Sequence, residues 1–257
     1  MTPAPTAGEL LRQWRQRRHL SQLDLSVEAN VSSRHLSFVE TGRAKPTSEM
    51  ILRLAEHLDV PLRDRNQLLL AGGFAPAYPQ HGLDAPELAA VKQALAQVLK
   101  GHEPYPASIV NRHWELVDAN GPTVLFTEGA AAHLLEPPVN VLRLSLHPDG
   151  MAPRIGNLPE WRGHLLTRLH RQAQTTGDPE LATLHDELAG YPGGEAHPPP
   201  AADVIVPLRY RPPGKPELSF ISITAVIGTP MDVTVAELAI ESFYPADERT
   251  AATLALI

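Results

Sequence analysis

Cysteine is absent from the 257 residues. That excludes a disulfide framework, a thiolate zinc site, an iron–sulfur cluster and a cysteine nucleophile. Long apolar runs are also missing. The longest, around Leu218–Ile227, falls far short of the roughly 20 residues a membrane-spanning helix needs. Where a signal peptide would place its apolar stretch, the chain carries Arg12, Arg15, Arg17 and Arg18. Catalytic spacings are lacking too: there is no His-Glu-x-x-His, no Gly-x-Ser-x-Gly, no phosphate-binding Gly-rich loop and no dinucleotide fingerprint. The expectation is a cytoplasmic, soluble protein that is not an enzyme, touches no membrane and requires no cofactor.

What is present is a core-forming composition, with 43% hydrophobic and 20% charged residues, enough to fold as a globular protein. Net charge is −7, yet it changes sign along the chain. Residues 1–70 hold ten basic and eight acidic side chains, a net of +2, and the remainder holds twelve and twenty-one, a net of −9. Two modules with different partners follow from that asymmetry. Proline, at 26 residues, is roughly twice its usual share of about 5% and marks boundaries between elements.

The first 70 residues read as five short helices: Gly8–Arg18, Gln22–Ala29 capped by Ser21, Ser33–Glu40 capped by Ser32, one opened by Pro46-Thr47-Ser48, and one from Pro61 to Leu70. Asn30 suits the left-handed turn between the second and third. Leu20–Glu40 has helix–turn–helix spacing. Leu25, Ala29, Val31, Leu36 and Val39 face inward, which leaves Ser33, Arg34, Ser37 and Phe38 outside. Arginine grips guanine bidentately, serine bonds to bases or phosphates, and a phenyl ring touches a thymine methyl. His35 stands beside them, near the phosphates. Part of the arginine row on the first helix reads as a solvated face.

Gly72-Gly73 and Pro76 through Pro79 place a linker at about 72–85, followed by a helix at Glu87–Leu99. Beyond Pro104 the pattern becomes mixed. A short hairpin (Ala107–Val110, Trp114–Val117) precedes helices at Asn120–Leu135, Asn140–Leu146, Glu160–Thr175 and Pro179–Leu188. Gly193–Pro200 is a loop, and strands are expected at Asp203–Arg211, Leu218–Ile227 and Val233–Phe243, with a closing helix at Ala246–Leu256. No two histidines of this part sit four apart on one helix, so no metal site is expected.

Leu20-Ser21-Gln22, Leu25-Ser26, Val31-Ser32 and the run Glu40 to Pro46 resemble the Xre family of phage-repressor-like regulators. The resemblance implies a lambda-repressor-like, all-α fold. Gln22 would meet the DNA backbone and brace the recognition helix, Ser33 and Arg34 would meet base edges, and Arg43 and Lys45 would approach phosphates. Glu40 would pair with an arginine of the first helix, Arg15. From about Pro104, Pro106–Val110, His113–Asn120, Val141–Gly150, Ile155, Asn157 and Trp161 resemble the ligand-binding domain of MmyB-like regulators. That implies an α+β, PAS-like fold holding a fatty acid or similar lipid.

A fatty acid needs an apolar channel and donors for its carboxylate. Leu142, Leu146, Leu165, Leu169, Phe220 and Ile223 are candidate lining residues, with Trp161 beside them. Arg143, Arg154, His147 and Asn157 are candidate partners of the head group. The domain expectation is 1–71 for DNA binding, 72–103 for linker and connecting helix, and 104–257 for the ligand. The function expected is a homodimeric transcriptional regulator that binds a double-stranded DNA operator and senses a small hydrophobic effector. The alternatives are a regulator or antitoxin whose C-terminal part serves only dimerisation or protein interaction.

Overall fold

A computed structural model describes residues 5–194 and 205–256. The chain divides into two compact units. The first runs to Gly82 and includes Gln174–Gly177 and Thr229–Ala236. The second comprises Leu83–Ala173, Asp178–Gly228 and the residues from Glu237 onward.

Five helices build the N-terminal unit: α1 (Ala7–Arg17), α2 (Gln22–Glu28), α3 (Ser33–Glu40), α4 (Ser48–His57) and α5 (Leu62–Ala71). The caps follow from the residues present. Ser21 accepts from the Asp24 amide, Ser32 from His35 and Thr47 from Met50, each satisfying a donor the first turn cannot pair internally. Asn30 turns the chain between α2 and α3 with φ +52. Leu11, Trp14, Leu25, Ala29, Leu36, Val39, Ile51 and Leu54 are buried together. A Cβ on Gly8 would collide with the carbonyl oxygen of Val39, so α1 and α3 meet backbone to backbone.

The second unit is a five-stranded antiparallel sheet with helices. Its strands are β1 (Ala107–Val110), β2 (Leu116–Ala119), β3 (Leu208–Tyr210), β4 (Leu218–Val226) and β5 (Ala239–Pro245), in the order β2-β1-β5-β4-β3. The helices are α6 (Ala89–Gly101), α7 (Val124–Thr127), α8 (Val141–Leu146), α9 (Leu158–Thr176), α10 (Pro179–Ala189) and α12 (Glu248–Leu254). The short α11 (Val233–Ala236) lies in the β4–β5 connection. Trp114, Phe126, Trp161, Leu165, Leu169, Tyr210 and Phe220 form the heart of its core.

Several expectations are corrected. Asn120–Leu135 is not one helix: Gly129, at φ +75, ends α7 after four residues, and a separate 3-10 turn follows at Ala132–Leu134. The second hairpin strand begins at Leu116, because Trp114 sits at φ +67 in a turn closed by Asn111. Val233–Phe243 is split: Asp232 accepts from the Thr234 and Val235 amides and starts α11, and the strand begins only at Ala239. The strand expected over Asp203–Arg211 is confined to Leu208–Tyr210, between Pro207 and Pro212, which cannot donate to a ladder. Its first residues, and the expected loop beyond residue 194, lie outside the described residues.

Candidate nucleic-acid interface and ligand cavity

Helix α3 has two faces. Leu36, Val39 and Glu40 are buried, while Ser33, Arg34 and His35 are exposed and Ser37 and Phe38 are half-buried. Phe38 is flanked by two guanidiniums, with Arg34 Cζ 5.5 Å and Arg43 Cζ 6.0 Å from the ring centroid. A ring quadrupole attracts cations placed over its face, so Phe38 gathers both positive charges at one end of the exposed side. Lys45 is exposed in the loop that follows. The face thus carries the hydroxyls and cations that nucleic-acid recognition uses.

The buried side of α3 is held by one carboxylate. Glu40 accepts from Arg15 Nε at 2.7 Å, Arg15 Nη2 at 2.8 Å and Gln22 Nε2 at 2.8 Å. Arg15 Nη1 also donates to the Leu20 carbonyl at 2.8 Å. Hydrogen bonding to Glu40 holds the Arg15 pKa above its ordinary value. Gln22 thus ties α2 to α3 through Glu40. Of the other arginines on the first helix, Arg12 and Arg17 are exposed, whereas Arg18 donates to the carbonyls of Leu58 and Asp59.

In the second unit a mainly apolar cavity of about 80 Å³ opens between the sheet and helices α7, α8 and α9. Its walls include Trp114, Phe126, Leu142, Leu144, Met151, Trp161, Leu165 and Phe243. One polar row crosses the sheet beneath it. Ser108 on β1, Glu241 on β5 and Thr224 on β4 occupy facing positions, and Arg168 reaches the row from α9. Arg168 Nη2 donates to Glu241 Oε1 at 2.6 Å and to Thr224 Oγ1 at 2.5 Å, and its guanidinium lies 4.4 Å from the centre of the Trp114 ring. Glu241 is 5% exposed. Burial, and then the nearby Arg168 charge, depress the pKa of His164. Arg168 and Glu241 are the charged groups that line this mainly apolar space, joined by the hydroxyls of Ser108, Thr123, Thr127, Ser145 and Ser222.

A helix–turn–helix family model matches residues 11–64. The model of the MmyB-like transcription regulator ligand binding domain matches residues 91–257. The chain belongs to the MmyB-like transcription regulators. It is a DNA-binding transcriptional regulator with an N-terminal helix–turn–helix. No curated protein matches the chain. Among solved structures, the clp gene regulator ClgR from Corynebacterium glutamicum is 24% identical, over 40% of this chain and 99% of its own, with a TM-score of 0.24. An RNA-binding light-oxygen-voltage receptor is 14% identical, over 98% of this chain and 60% of its own, with a TM-score of 0.31. At those scores neither likeness bears on what this chain does.

Within the MmyB-like domain, the candidates Leu142, Trp161 and Leu165 lie in the lining of the cavity. The other candidates are placed elsewhere. Leu146, Leu169 and Phe220 are core residues outside the lining, and Ile223 is half exposed on β4. Arg143 is taken by Glu187, with Nη2 2.7 Å from Oε2. Arg154 donates to the Glu128 and Gly129 carbonyls and to the Tyr210 hydroxyl. Asn157 bridges the Pro207 carbonyl and the Arg209 amide. His147 packs edge-on against Tyr191 and His133. Sequence reasoning missed Trp114, Phe126, Met151, Arg168 and Glu241. The sequence offered little signal: the strand expected over Val233–Phe243 holds both Glu237 and Glu241, and nothing local singles out Glu241.

Proposed function

We propose that this regulator reads operator DNA with α3 as a dimer, and that its C-terminal domain responds to a compact, mainly apolar effector held in the cavity over β1, β4 and β5. The observation that carries the DNA reading is the two-faced α3, scaffold on one side and Ser33, Arg34, Ser37 and the Phe38-centred cations on the other. Helix–turn–helix dimers set half-sites about one helical turn, roughly 10 base pairs, apart.

The effector reading rests on the cavity. At about 80 Å³ it is small beside the roughly 300–1,000 Å³ of pockets that enclose drug-sized ligands. A long fatty acid therefore requires α8 or α9 to move, whereas a short or branched acyl group needs less room. The head-group role expected of Arg143 and Arg154 passes to Arg168, the cation that reaches the cavity. An acidic ligand competes with Glu241 for it, and a neutral polar end bonds to Ser108 or the exposed edge of the pair.

Native mass spectrometry of the full chain, followed by denaturing extraction, tests this. A dimer carrying about one small-molecule mass per protomer supports the reading, and operator affinity should then differ between loaded and stripped protein. A monomer with neither ligand nor operator-selective binding sinks it.

A further inference from the structure

We propose that His133, His147 and Asp149 form a binding site for a divalent first-row transition metal, with Zn²⁺ as the reference ion. Their ligand atoms all lie within 4.8 Å of one another, which no other such group among the described residues does. Nothing in the linear pattern announces the site, since the two histidines are fourteen positions apart.

The donor set decides the class of ion. Two imidazoles and a carboxylate, without thiolate, suit divalent metals that accept nitrogen and oxygen. Zinc takes such ligands at about 2.0–2.2 Å, and three protein ligands leave a position open for water or a further donor. His147 Nδ1 lies 3.9 Å from Asp149 Oδ2 and accepts from the Asp149 amide at 3.0 Å with its one lone pair, so a metal taken at that nitrogen displaces the amide. A modest rotation of the two exposed side chains, His133 and Asp149, closes the remaining distance.

The backbone brings these side chains together independently of any ion. The Ala131 amide donates to the Asp149 carbonyl at 2.9 Å, tying the turn that carries His133 to the turn that carries Asp149. The Gly150 amide donates to the His147 carbonyl at 2.9 Å. A Cβ at Gly150 would strike the Leu144 carbonyl oxygen, so a side chain there would push this turn open. The His147 ring is steadied by Tyr191 at 5.0 Å, whose hydroxyl donates to Glu187. His147 ends α8, and α8 forms one wall of the cavity. A bound metal would pin that end of α8 to the Ala132–Leu134 turn. The site stands independently of what fills the cavity.

The test is calorimetric titration of ZnCl₂ into the full chain, freed of any histidine tag, alongside thermal unfolding. Expected are one equivalent per protomer and a raised melting temperature. Losing even an outer-shell partner typically costs about 10–100-fold in metal affinity, so His133→Ala and Asp149→Asn should each weaken binding at least that much. Both residues are exposed, so neither change threatens folding. His170→Ala is the control, because His170 and His185 form another ring pair at 5.2 Å. No binding up to millimolar Zn²⁺ overturns the site. So does binding that His133→Ala leaves intact, or that only His170→Ala removes.

Discussion

Arg15 grips Glu40 at both carboxylate oxygens, 2.7 and 2.8 Å away. With Gln22 as third donor, that carboxylate ties α1, α2 and α3 at one point. The Glu40 side chain is only 1% exposed, so water cannot stand in for a lost partner. Removing one member of a buried pair leaves an unpaired charge and costs about 3–5 kcal/mol. Arg15→Met should therefore lower unfolding stability by that amount, and Glu40→Gln, which keeps the shape, by less. Urea denaturation of each variant measures it. A change below about 1 kcal/mol in Arg15→Met would show that the pair does not organise the unit.

The exposed face of α3 yields to a different substitution. Arg34→Ala should cost about 1–3 kcal/mol of discrimination between operator and scrambled duplex, with nonspecific binding largely retained. Lys45→Ala should instead weaken binding to both duplexes alike and reduce the salt slope by about 1. Fluorescence anisotropy over a range of salt separates the two. An equal loss on every sequence in Arg34→Ala would make Arg34 a phosphate contact.

Filling the cavity should uncouple sensing from DNA binding. Leu165→Trp puts extra volume into a space of about 80 Å³. Overpacking of this kind costs about 1–3 kcal/mol, which leaves a folded protein. Operator binding should persist while the response to any effector extracted from the wild type disappears. If the variant responds normally, the effector sits elsewhere.

The Arg143–Glu187 pair should show in acid. The hydrogen bond from Arg143 holds the Glu187 carboxyl below its ordinary value of 4.5. A carboxyl depressed by folding stabilises fully above its unfolded pKa, and that contribution drains away as pH falls through the depressed value. Stability should thus decline with acid below about pH 4.5, and Glu187→Gln should decline less steeply over the same range. Urea midpoints from pH 7 to pH 3 test this. Tyr191 is pushed up to about 12 by burial and by Glu187, so its hydroxyl stays protonated throughout.

The helix–turn–helix was legible because local chemistry decides it. Ser21, Ser32 and Asn30 each do in the structure what their side chains favour in isolation, and Leu25, Leu36 and Val39 repeat at helical spacing. The cavity was not legible, since its wall comes from eight elements whose meeting depends on strand order. Arg143 and Arg168 look alike on paper. One meets Glu187, 44 residues away, and the other meets Glu241, 73 residues away, and no local pattern distinguishes those partners. Asp232 shows the converse: a single capping side chain overrides an apolar run whose alternation favours a strand.

Gly8 and Val39 touch with no side chain between them, and this limits how such a protein can be controlled. A close-packed contact of that kind resists rocking, as interiors packed to crystal density do. Helix α3 is a fixed die, set when the five helices fold. If an effector acts on this regulator, it leaves the face of α3 as it is and changes only where that face is presented.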